Sequence, residues 1–144
     1  MFGHADCPDS ILPEIEKAIE LHYCAYGARC FYVGSRGQFD RLAAAAAKRV
    51  KQQYPDLQLF LLLAYHPAER PVNLADGFDG SFYPPLETVP KPYAIVRANR
   101  YMASCCDSVI CYVKHGGNTR NLLEYAQRRQ RKGVLVIENV AETN

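Results

Sequence analysis

Phe31-Tyr32-Val33-Gly34-Ser35-Arg36-Gly37-Gln38-Phe39-Asp40 decides the reading of this chain. The aromatic and β-branched run reads as a strand, the glycines as a tight loop, and Asp40 as the opening of a helix. The same punctuation recurs elsewhere. Phe2 gives way to Gly3-His4, residues 59–65 to His66-Pro67, and residues 109–113 to Lys114-His115-Gly116-Gly117. If these runs are parallel strands, their four loops gather along one edge of one sheet. Open α/β folds bind ligands at that edge.

The segments between the runs carry helical spacing. In the first, Asp9-Ser10 is the capping region, Pro13 sits in the first turn, and Leu12, Ile15, Ile19, His22, Tyr23 and Tyr26 recur on one face before Gly27. Asp40 opens the second helix, which runs through Leu42, five alanines at 43–47, Val50 and Tyr54 to a stop at Pro55. An alanine run combines high helix propensity with a thin profile that lets the backbone approach a sheet closely. Ala94, Ile95, Ala98, Tyr101, Met102 and Cys105 mark a third helix, and residues 119–132 a fourth. Strands are expected at 29–33, 57–65, 108–113 and 134–137. This alternation predicts a single α/β domain over residues 1–144, a Rossmann-like three-layer α/β/α arrangement with a mostly parallel sheet. Its first strand is truncated, since only Met1 and Phe2 precede Gly3-His4, although that strand ordinarily lies mid-sheet. Residues 66–92 are rich in Pro, Gly and Asp without a period, but Phe78, Phe82 and Tyr83 predict that the segment packs.

Composition excludes several classes. The 144 residues are 49% apolar and 22% charged, ordinary for a globular chain. No apolar run approaches the roughly 20 residues of a bilayer span, so no membrane partner is expected. Residues 1–6 lack a basic and apolar leader, so the expected location is cytoplasmic. Of six cysteines, Cys24, Cys30, Cys105 and Cys111 fall in apolar stretches, Cys105 and Cys106 are adjacent, and no C-x-x-C pair exists. They read as reduced structural thiols, with neither metal nor cofactor expected. A formal charge of +2 does not announce a nucleic-acid partner. The basic residues Arg128, Arg129, Arg131 and Lys132 sit where cations favour the end of a helix.

Candidate site residues come from the loops. Gly34, Ser35, Arg36 and Gly37 form a glycine loop before a helix, where backbone N–H groups approach an anion and Arg36 adds a fork of donors. A tight turn capped by Asp40 explains the same residues equally well. Gly116, Gly117, Asn118 and Thr119 repeat the arrangement, with Asn118 or Thr119 as the cap. Glu124 lies one turn into that helix, within reach of a sugar, or is a solvated glutamate. Gly3, His4 and His66 belong to the same edge, and Arg97, Asn99 and Arg100 are polar positions on the third helix.

The ordered set Gly3-His4, Gly34 with Gly37-x-x-Asp40, Ala64-Tyr65-His66-Pro67, Arg97-x-Asn99-x-x-Met102, Asp107 and Gly116-Gly117…Glu124 resembles the SLOG superfamily. That Rossmann-like group unites the DNA-processing protein DprA with the LOG phosphoribohydrolases. The chain is similar in particular to small bacterial and phage proteins grouped with YpsA, over residues 3–137. The resemblance implies a nucleotide or nucleotide-derived ligand, such as a nucleoside monophosphate or a relative of NAD or ADP-ribose, bound by a sensor or sequestering module. An alternative it implies is an N-glycosidase that releases a base, with Glu124 and Arg97 as catalytic residues. The LOG pattern P-G-G-x-G-T-x-x-E is only partly present: Lys114-His115 replace the proline approach and Glu124 falls one place late. Those departures weigh against hydrolysis more than against binding. DprA-like single-stranded DNA binding is a further alternative, and a homo-oligomer is compatible with the family.

Overall fold

The computed structural model describes residues 1–133 and 135–142. Its order is β1 (Phe2–Gly3), α1 (Leu12–Tyr26), β2 (Cys30–Val33), α2 (Gln38–Gln53), β3 (Gln58–Leu62), β4 (Gly80–Phe82), α3 (Ala94–Cys105), β5 (Ser108–Tyr112), α4 (Asn118–Gln130) and β6 (Val136–Asn139). Every strand pair is parallel. The ladders form two three-stranded sheets, β2-β3-β4 and β1-β5-β6. The amine of Met1 donates to the Tyr32 carbonyl at 2.8 Å, which places β1 between β2 and β5. The chain therefore builds outward from β1 on one side and then crosses to β5 on the other, the reversal that marks a Rossmann-like switch point.

The core explains the layering. Alternate residues of a strand face opposite sides. Phe31, Val33, Leu59, Ile110 and Tyr112 join Ile15, Ile19 and the alanines of α2 in one cluster, while Val109, Cys111 and Val113 meet Leu123 and Ala126 of α4 in another. Leu62, Leu86 and Ala98 form a third cluster beneath α3. Ala43, Ala46 and Ala47 are fully buried, and α2 contacts β1, β2 and β3, as the thin alanine profile predicts.

Several boundaries differ from expectation. Residues 9–11 form a single 3-10 turn without a side-chain cap, because the Asp9 carboxylate is drawn outward to Gln38 and Arg41 of α2. The second helix starts at Gln38, with Gly37 in the capping position and Asp40 inside the first turn. The unperiodic segment contains β4, which pairs with β3 from Phe60↔Gly80 to Leu62↔Phe82; three residues are too few to show a period. The last strand lies two residues later than expected, and Val134 falls outside the described residues. Cys24, Cys30 and Cys105 are exposed rather than packed, since an apolar run does not say which helix face or strand end a residue takes. Arg129 donates to the carbonyls of Ala103 and Cys106 at 2.6 and 3.0 Å, so it satisfies the end of α3 rather than that of its own helix.

The short β1 leaves a hollow. Phe2 pairs with Cys111, so Cys30 and Phe31 face Ser108 and Val109 across a cavity of about 620 Å³. No described helix is long and apolar enough to cross a membrane.

Candidate functional site

Parallel strands point all their carboxyl ends the same way, so the loops after β1, β2, β3 and β5 share one edge. After β2, the Asp40 carboxylate reaches back from the first turn of α2 and accepts the Arg36 backbone N–H at 3.1 Å. It passes directly over Gly34, where an added Cβ would lie 3.0 Å from Oδ2. A side chain at this position would make the carboxylate give way by a few tenths of an ångström. Burial raises the Asp40 pKa above the usual carboxylate value, opposed by the Arg36 N–H and the positive N-terminus.

That carboxylate lines a cavity of about 300 Å³. Leu61, Leu62, Leu63 and Ala64 supply its apolar side, Gly34, Ser35 and Arg36 one polar wall, and Ala98 with Asn99 the α3 side. Tyr65, Arg70 and Asn73 complete it from the segment after β3. An apolar pocket with a few convergent polar groups is the usual form of a small-molecule site.

The switch point between β1 and β5 is built differently. His4 is buried, and its Nε2 accepts the backbone N–H groups of Lys114 and His115 at 2.9 and 3.2 Å. The ring of His115 stacks on it. His115 Nδ1 lies 3.1 Å from the Gly116 carbonyl and Nε2 3.3 Å from Asp6 Oδ1, and both donate when the ring is protonated. Those two acceptors, the Gly116 carbonyl foremost, raise the His115 pKa, while burial and then the neighbouring His115 lower that of His4. The hydrogen bond from His115 holds the Asp6 carboxyl below its ordinary value. His4, Asp6 and His115 offer ligand atoms within 4.8 Å of one another. A metal is nevertheless poorly served: the lone pair of His4 Nε2 is taken by two N–H groups, which leaves the proton on Nδ1. The cluster fastens the β5 loop to β1.

The structure brings Gly34, Ser35, Arg36, Asp40 and Asn99 together around the cavity. Gly3 and Gly37 serve packing instead: a Cβ on Gly3 would meet Phe39 at 2.5 Å, and one on Gly37 would meet Ala5 Cα at 2.8 Å. His66 makes a turn, its Nδ1 accepting the Ala68 N–H at 3.0 Å. Gly116, Gly117, Asn118 and Thr119 begin α4 on the far side of the β1 loop and do not line the cavity. Gly117, at φ 123°, takes the capping position expected of Asn118 or Thr119, with no side-chain cap bond. Arg97 on α3 and Glu124 on α4 are exposed and lie outside the cavity. Arg70 and Asn73 escaped the sequence reading because they lie in an unperiodic segment, and Tyr65 entered it only as part of the motif Ala64-Tyr65-His66-Pro67. The signal for His4 and His115 was present, since each follows a strand, but only the strand order shows that they meet.

No protein-family model matches the chain, and no curated protein matches it. The function therefore rests on the chemistry of the edge itself.

Proposed function

We propose that this chain binds a nucleotide or nucleotide-derived small molecule in the cavity at the carboxyl edge of β2 and β3, as a sensor or sequestering module. The observation that carries the reading is the combination within one 300 Å³ cavity of an apolar wall, the Asp40 carboxylate and the Arg36 guanidinium. Such a wall suits a base or sugar face, a carboxylate accepts ribose hydroxyls, and a guanidinium takes phosphate as a planar fork. Binding alone is favoured over hydrolysis because Glu124 and Arg97, the residues a glycosidase would use, lie outside this cavity. The resemblance to SLOG proteins supports the same ligand class.

Isothermal titration with AMP, NAD and ADP-ribose tests this, alongside chromatography for released base. The expected result is saturable binding of at least one ligand without base release, weakened about tenfold or more by Asp40→Asn or Arg36→Ala. Absence of binding to all three overturns the proposal. Base release that disappears in Glu124→Gln replaces it with the hydrolase reading.

A further inference from the structure

Tyr65 follows β3, and two guanidinium groups rest on its ring. Arg70 Cζ lies 3.8 Å from the ring centroid and Arg36 Cζ lies 5.4 Å from it. All three residues line the edge cavity. Arg36 comes from the β2 loop and Arg70 from the segment after β3, so folding brings the two charges together from separate parts of the chain.

The turn that delivers Arg70 is specific. The His66 carbonyl accepts the N–H groups of Glu69 and Arg70 at 2.9 and 3.0 Å, which winds the chain back toward the cavity. Glu69 is adjacent in sequence and is the natural counter-charge, but it pairs with Lys91 at 3.5 Å. Asp40 is engaged by the Arg36 backbone rather than by its guanidinium. Among the described residues, neither Arg36 nor Arg70 forms an ion pair. Two cations held at one aromatic ring and lining one cavity repel each other, and an anion bound by both relieves that repulsion.

We propose that Arg36 and Arg70, held on Tyr65, clamp a diphosphate, so that the site prefers ligands with two linked phosphates over monophosphates. This rests on the nucleotide reading above. One guanidinium suffices for a terminal monophosphate, whereas a diphosphate offers two sets of oxygens that two planar forks engage at once. Arg70 then determines specificity, and Tyr65 positions it.

The test is isothermal titration of the whole protein with ADP and AMP, using wild type, Arg70→Ala and Arg70→Lys. Arg70 is exposed, so both variants retain the fold, checked by circular dichroism. The expected result is ADP bound about tenfold or more tighter than AMP. Arg70→Ala brings ADP to the level of AMP and leaves AMP within about twofold, while Arg70→Lys restores only part of the preference because ammonium lacks the planar fork. Equal affinity for ADP and AMP in the wild type, or equal weakening of both by Arg70→Ala, overturns the clamp while leaving nucleotide binding intact. Failure of both ADP and AMP to bind removes the clamp, and the reading beneath it falls as well only when NAD and ADP-ribose also fail to bind.

Discussion

The imidazole of His4 lies flat on that of His115, with ring centroids 3.6 Å apart and planes within 6° of each other. Sharing one stack, the two rings have opposite proton preferences. His4 uses its Nε2 lone pair as an acceptor and is buried, whereas both nitrogens of His115 face oxygen acceptors, which favours its protonated form. The bonds from the Lys114 and His115 backbone to the His4 ring, one of the ties between the β5 loop and β1, exist only while His4 is neutral.

Acid therefore weakens the fold. His4 and His22 both have lowered pKa values, with burial the largest cause. An unfolded imidazole titrates near about 6.5. Below that pH the unfolded chain takes up protons that these rings refuse, so stability falls as pH drops from there toward their folded values. His115 acts in the opposite sense: its contribution is present below its unfolded value and is lost as pH rises through its raised folded one. Its side chain is 58% exposed, so that contribution is small. Urea midpoints are expected to be lower at pH 5.5 than at pH 7.5. The difference shrinks in His4→Gln, which keeps an acceptor without a titrating ring. An identical pH response in wild type and variant refutes this account.

Gly37 serves close packing rather than a special backbone angle, since its φ of −156° is open to any residue. Gly37→Ala drives a methyl into the Ala5 backbone and is expected to cost about 1–3 kcal/mol in urea unfolding. Gly116→Ala meets nothing within 4 Å and has no positive φ, so it stays within about 0.5 kcal/mol. Equal effects at the two glycines contradict the packing assignment.

The alanines of α2 set its distance from the sheet. Ala46→Leu inserts three carbons where no surface is exposed and is expected to destabilise by about 1–3 kcal/mol. On the wet face, Gln52→Ala is expected to change stability by less than about 0.5 kcal/mol. Thermal melts of the two variants distinguish a close helix–sheet contact from a loose one.

Thiol reactivity reads the cysteine environments directly. Cys24, Cys30 and Cys105 are exposed and are expected to react promptly with a disulfide reagent in the native protein. Cys7 and Cys111 are buried and wait for denaturant; burial pushes the Cys7 thiol up to about 11, which suppresses its thiolate further. Mass mapping of the labelled residues checks the assignment. Early labelling of Cys7 or Cys111 shows that the core around them opens.

Much of the architecture was legible locally. Ile15 and Ile19 recur at helical spacing, Gly27 ends that helix at φ 72°, and the five alanines identify a helix packed across β1, β2 and β3. The edge was legible too, because glycines after apolar runs mark strand ends. Within it, Gly34, Arg36, Asp40 and Asn99, each a candidate from the sequence, line one cavity. Other residues were not readable: Arg70 lies in a segment whose turn is set by backbone bonds to His66, and β4 is too short to carry a pattern. The capping roles of Asp9, Asn118 and Thr119 went elsewhere because a backbone turn or a glycine met the same need.

Local patterns alone specify an alternating α/β chain whose loops after the strands are small and polar. Periodicity and turn chemistry act over a few neighbouring residues, so they are written locally. Tertiary structure alone decided which loops touch. His4 meets the His115 backbone across 111 positions, Gly37 packs on Ala5, and Arg36 joins Arg70 on one tyrosine ring. These contacts follow from the order of strands in the sheet and the path of the loops over it, which the spacing of residues along the chain does not encode.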